Sequence, residues 1–250
     1  MRRALAGLML LAMGAVPASA SDGAAFDIIG YSKDGRYFAF EQFGIQDGSG
    51  FPYWQVFAID LEKDAFVEGS PIRVRIDSEE AELSEARAMA AAKADAVLKP
   101  LKLTVPAQIL AANFSTELET GDGSITFARY YPVRGRVVLD DSYLPVHKLE
   151  IERQEAKESE LGATCGEPDG PYYALKLTLT DVNLKQSHTI FDEKKVPESR
   201  GCPIAYKITA IAGAMGAPDT DRLVAIISVF TRGFEGIDER FIAVPFTLSD

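Results

Sequence analysis

Any fold for this chain has to accommodate residues 26 to 60, FDIIGYSKDGRYFAFEQFGIQDGSGFPYWQVFAID. Phe26, Ile28, Ile29 and Tyr31 precede Asp34-Gly35, and Tyr37, Phe38, Ala39, Phe40 and Phe43 follow it. Asp-Gly between apolar runs is a hairpin signal, because tight turns need positive φ, which glycine adopts without a Cβ clash. The aromatics on either side suit a pleated surface. A second loop, Gln46-Asp47-Gly48-Ser49-Gly50, leads through Phe51-Pro52 into the alternating Tyr53, Gln55, Phe57 and Ile59. The pattern predicts a three-stranded antiparallel meander.

The second half of the chain repeats the theme. Tyr173, Leu175, Leu177 and Leu179 alternate with Ala174, Lys176, Thr178 and Thr180, which means one buried and one wet face. Ile204, Tyr206 and Ile208 alternate likewise. Residues 222 to 230 are apolar on both faces and predict a central strand covered on both sides. Phe241 to Phe246 reads as a last strand, and Pro245 marks it as an edge or a strand end. Further strands are expected at Ile125 to Tyr131, Arg136 to Leu139 and Val146 to Ile151, with Glu150 to Glu160 a solvated strand end and loop.

One helix is expected near residues 78–98, rich in Ala, Glu, Lys and Arg. Asp77 and Glu80 resemble a capping box at its start, and Pro100 would end it. Its Ala-rich face suits close packing on a sheet. Between residues 100 and 124 the signal weakens: Leu103 and Val105 suggest extended chain, Gln108 to Asn113 a short helix, and Gly121-Asp122-Gly123 a turn. The expected fold is therefore mainly β (α+β), with antiparallel sheets in a sandwich-like or meander arrangement and one packed helix. Residues 21–250 form a single domain in this reading, with any sub-boundary at 100–124.

Arg2 and Arg3 precede an apolar run from Ala4 to Val16, and Ala18-Ser19-Ala20 fits a small-residue cleavage site. Residues 1–20 thus read as a secretory signal peptide, the run being shorter than the roughly 20 residues that span a bilayer. The formal net charge is −11, and removal of a leader carrying two Arg and no acid makes the exported chain more acidic still. Such a surface repels phosphate backbones, which excludes nucleic acid as a partner. No later stretch is apolar enough to span a membrane. In an oxidising compartment the two cysteines, Cys165 and Cys202, are expected to form one disulfide.

Two resemblances join these readings. Ser32 to Phe40, SKDGRYFAF, resembles the blade hairpin of TolB-like β-propellers, which implies a partial propeller-like assembly as the alternative fold. Gly30 to Tyr53, with Cys165, Gly170-Pro171-Tyr172-Tyr173-Ala174-Leu175, Gly201-Cys202-Pro203 and Arg232-Gly233-Phe234-Glu235-Gly236 to Val244, is similar to a bacterial family of predicted secreted proteins, domain of unknown function family 2259. That resemblance covers most of the chain after residue 20 and implies a shared fold and secretion. It assigns no functional residue.

The motifs exclude more chemistry than they suggest. The histidines, His147 and His188, accompany no G-x-S-x-G elbow, and no P-loop or dinucleotide fingerprint occurs, so no cofactor is expected. Asp140-Asp141 and Asp219-x-Asp221 lack the spacing of a calcium loop, and no metal site is expected. Acids such as Glu41 and Asp60 could serve a carboxylate-dependent hydrolase of envelope glycans. Phe51, Tyr53, Trp54 and Phe234 cluster at two hairpin tips and are the candidate contact residues for an envelope protein or glycan. The expected function is a periplasmic or secreted, non-enzymatic binding or interaction module, with the hydrolase as the alternative.

Overall fold

Around Asp34-Gly35 the chain turns as its residues dictate. Gly35 has φ 66°, the Ser32 hydroxyl accepts from the Tyr37 amide (2.9 Å), and the Asp34 carboxylate accepts from the Arg36 amide (3.1 Å). This turn joins β1 (Ala25–Tyr31) to β2 (Tyr37–Ile45), and β2 pairs in unbroken antiparallel register with β3 (Pro52–Asp60). Two short strands, β4 (Ala65–Phe66) and β5 (Ile72–Arg75), pair with the far side of β3. The computed structural model describes residues 22–113, 123–128, 145–166, 170–216, 221–234 and 236–248. The signal peptide expected at residues 1–20 and the strand expected at 136–139 lie outside them.

This first sheet buries both faces. On one, Trp54, Val56, Ile72 and Val74 meet α1 (Leu83–Leu101) through Ala86, Ala90 and Ala94, whose spacing of four places them in one stripe. The helix starts later than residue 78, after a turn in which the Ala81 amide donates to the Ser78 carbonyl (3.3 Å), and the Asp77 carboxylate accepts from Arg75 Nε (2.7 Å). Pro100 lies in the last turn instead of ending the run, since there its ring forfeits only one backbone bond. The helix stops at Lys102, which has φ 50°.

Next comes β6 (Ala107–Ala112), where a short helix was expected. Its antiparallel pairing with a later strand overrides the helix propensity of Gln, Leu and Ala. A second sheet follows, from β7 (Ser124–Ala128), β8 (Val146–Glu155), β9 (Tyr173–Asp181) and β10 (Gln186–Asp192), in the order β10-β9-β8-β7. β8 runs to Glu155, the strand end expected within the charged stretch, because its register with β9 continues to Tyr173 and Glu152 pairs with Lys176 (2.8 Å).

The chain ends in β11 (Pro203–Ala214), β12 (Arg222–Arg232) and β13 (Ile237–Thr247), which with β6 form a sheet ordered β13-β12-β11-β6. This sheet lies between the other two. Leu223, Ala225, Ile227 and Val229 pack against Leu175, Leu177 and Leu179 of the second sheet. Val224 and Ile226 pack against Phe38, Phe40 and Phe57 of the first. The two-faced apolar run of β12 is thus explained: each face has its own sheet to bury against, worth roughly 1.5–3 kcal/mol per large side chain. The molecule is a stack of helix, sheet, sheet and sheet. Cys165 and Cys202 form a disulfide that ties the segment before β9 to the start of β11.

Candidate binding cleft

Along β13 the register with β12 is unbroken, so successive residues turn their backbone groups alternately inward to β12 and outward. The outward set includes Glu239, whose amide donates to the Asp22 carbonyl (3.0 Å) and whose carbonyl accepts from the Ala24 amide (3.1 Å). It also includes Phe241, whose amide donates to Gln42 Oε1 (2.8 Å). Both flanking layers line the space beside this edge, enclosing a cleft of about 1030 Å³. Phe40, Phe57 and Ile59 come from the first sheet, and Phe191 and the disulfide from the opposite side. At its back, Gln42 Nε2 donates to Gln55 Oε1 (3.1 Å). A smaller hollow of about 360 Å³ shares Gln55, Arg73 and Arg240 with it and continues toward Gln46.

The charge of this cleft opposes that of the whole chain. Among the described residues, Arg73, Lys195, Arg200, Arg232 and Arg240 line it against Asp64, Asp192 and Glu193, an excess of cation in a protein of net charge −11. Arg240 is engaged with the Asp22 carbonyl (2.8 Å) and carboxylate and lies 4.7 Å over the Tyr53 ring. The Tyr53 hydroxyl donates to Asp22 Oδ1 (3.1 Å), and its burial pushes its pKa well above the usual phenol value. Arg200 is paired with Glu193 (2.7 Å). Burial raises the Glu193 carboxyl, with Arg200 and the Leu175 amide opposing. Asp64 is exposed as a residue, but the cleft walls desolvate its carboxyl and raise it, with Arg200 again opposing. Arg73 and Lys195 have no ion-pair or hydrogen-bond partner among the described residues.

A family model described as a predicted secreted protein, DUF2259, matches residues 39–247. The chain belongs to this secreted family. The match begins inside β2 and ends with β13, so it takes in the helix, both cysteines and every wall of the cleft. No curated protein and no solved structure matches this DUF2259 chain. Among its described residues no helix is long and apolar enough to cross a membrane.

The residues singled out by sequence are dispersed in this DUF2259 protein. Tyr53 and Trp54 are 2% and 4% exposed and belong to separate cores. Trp54 stacks on Phe43 (ring centroids 4.0 Å apart) and donates from Nε1 to Glu41 (2.8 Å). Phe51 is half-buried under Arg75, and Phe234 is 84% exposed. A Cβ on Gly48 would stand 3.4 Å from the Phe234 ring, so the two hairpin tips do meet. Glu41 and Asp60 lie outside the cleft, each beside its own cation, Arg87 (3.8 Å) and Arg36 (2.7 Å). His147 is buried against Phe127 (5.6 Å), and burial lowers its pKa. Asp140, Asp141 and Asp219 lie outside the described residues, among which no acid, His or Cys cluster could hold a metal ion. Sequence reasoning missed Gln42, Arg73, Phe191 and Lys195, which only the stacking of layers brings together. The edge signal at Pro245 was the available pointer.

Proposed function

We propose that this protein is a non-enzymatic binding module of the cell envelope, and that the cleft beside β13 takes its ligand. The observation that carries this reading is the cleft itself. Its volume, about 1030 Å³, sits at the top of the usual ligand-site range of about 300–1,000 Å³, and apolar walls surround a hydrogen-bonded amide pair. Arg73 and Lys195 favour an anionic ligand. Phe51 and Phe234, at the neighbouring tips, are proposed as the outer contact for the protein or glycan that carries it.

The hydrolase reading draws on Asp64 and Glu193, two carboxyls in one cleft whose ionisation is disfavoured. Glu193 is poorly free to transfer a proton, because its oxygens are held by Arg200 (2.7 Å) and the Leu175 amide (3.2 Å). Binding is the stronger reading. The test is a thermal-shift panel of peptidoglycan fragments, neutral oligosaccharides and acidic peptides on the purified protein and on Ser199→Trp, which fills the cleft from an exposed position. Anionic members should raise Tm, less so at high salt, and Ser199→Trp should abolish the shift. A panel without any shift, or one whose shifts survive Ser199→Trp, removes the cleft from consideration.

A further inference from the structure

Resting on the cleft as the binding site, we propose that its ligand is an extended polypeptide segment bearing carboxylate side chains, which joins β13 as a fifth strand of the central sheet. A sheet edge is a row of donors and acceptors that another strand can satisfy. On β13 this row is rationed. Glu239 is occupied by Asp22 and Ala24, and the Phe241 amide by Gln42. Alternation then leaves the Phe241 carbonyl and both backbone groups of Ala243 facing outward, where Phe241 and Ala243 line the cleft. Pro245 supplies no N–H and ends the ladder.

Gln42 makes the arrangement specific. Its buried side-chain amide accepts from the Phe241 amide and donates to Gln55, as a peptide group of a neighbouring strand would. It thereby blocks one end of the edge and sets where an incoming strand begins. The remaining space lies between the layers that carry Phe57 and Phe191, so a strand there would face an apolar wall on each side. Stacked sheets leave such a strand about 10 Å from each neighbour, the normal packing distance. Farther out, Arg73 on the first sheet and Lys195 on the opposite wall meet its acidic side chains.

The test uses fluorescein-labelled peptides of about seven residues, within the usual strand length, with three central valines flanked on each side by two glutamates or by two lysines. Two further glutamate peptides are N-methylated on alternate residues, one on the odd set and one on the even. In fluorescence anisotropy the glutamate peptide should saturate, and the lysine peptide should bind at least about tenfold more weakly. One N-methylated set should lose at least about tenfold while the other keeps its affinity, because only alternate amides of a strand face its neighbour. This contrast leaves the protein untouched, so it decides the matter even if Ala243→Pro, the matching change on β13, fails to fold. Equal binding by both methylated peptides, lost in Ser199→Trp, overturns strand addition and keeps the cleft. Peptide binding that persists in Ser199→Trp overturns both. If the glutamate peptide does not bind while another anion raises Tm through the cleft, strand addition alone is overturned.

Discussion

Asp60 closes β3 with its carboxylate buried, and Arg36 from the other arm of the meander reaches it through Nε (3.2 Å) and Nη2 (2.7 Å). That guanidinium is the main reason the Asp60 pKa lies below its usual 3.8, with the Glu62 amide adding to it. A carboxyl depressed in the fold contributes stability that is present above its unfolded value and lost as pH falls through the folded one. Between pH 5 and pH 2 the urea midpoint should therefore drop. In Arg36→Gln the midpoint should start lower and fall less steeply, since Asp60 then titrates nearer to its unfolded value. Asp34, lowered by Ser32 and the Arg36 amide, keeps some of the slope. Parallel curves for the two proteins would show that the ion pair is not what the acid limb reports.

Among elements, those whose signal is local were readable and those whose signal is a partner were not. The Asp34-Gly35 turn, the alternation of β9 and the two-faced run of β12 each carry their structural reason in their own residues. β6 does not: Gln108 to Ala112 would suit a helix, and becomes a strand only because β11 offers a ladder from Ala210 to Ala214. The same logic hid the cleft, whose walls come from strands far apart in the chain, and explains why Tyr53 and Trp54 read as tip residues while they are core. The disulfide was readable from two cysteines and export alone. It bridges a sequence separation of 37, for which chain entropy gives roughly 4 kcal/mol. Cys165→Ala/Cys202→Ala should lose about that much unfolding free energy in urea, and a loss well under 1 kcal/mol would mean that sheet packing already restrains the loop.

At the scale of the whole molecule, stacking order should govern the order of opening. β11 and β12 are paired along both edges and covered on both faces, and the disulfide joins the start of β11 to the segment between β8 and β9. The outermost layer is attached differently: α1 buries mainly Ala86, Ala90 and Ala94, small side chains that release little apolar area from water. Amide exchange in a native protein follows such local opening energies up to the global limit. The slowest amides should therefore lie where β11 faces β12, from Tyr206 to Ile211 and from Ala225 to Val229. Those of α1 should exchange at least about tenfold faster, a difference of about 1.4 kcal/mol in opening free energy. The Ala243 amide, outward on the β13 edge, should be faster than the inward Ile242 and Val244 on either side of it. Exchange mass spectrometry or NMR distinguishes these sets. Protection greatest in the β1–β3 meander would place the most stable unit at the amino-terminal end instead, and would require the central sheet to form upon it.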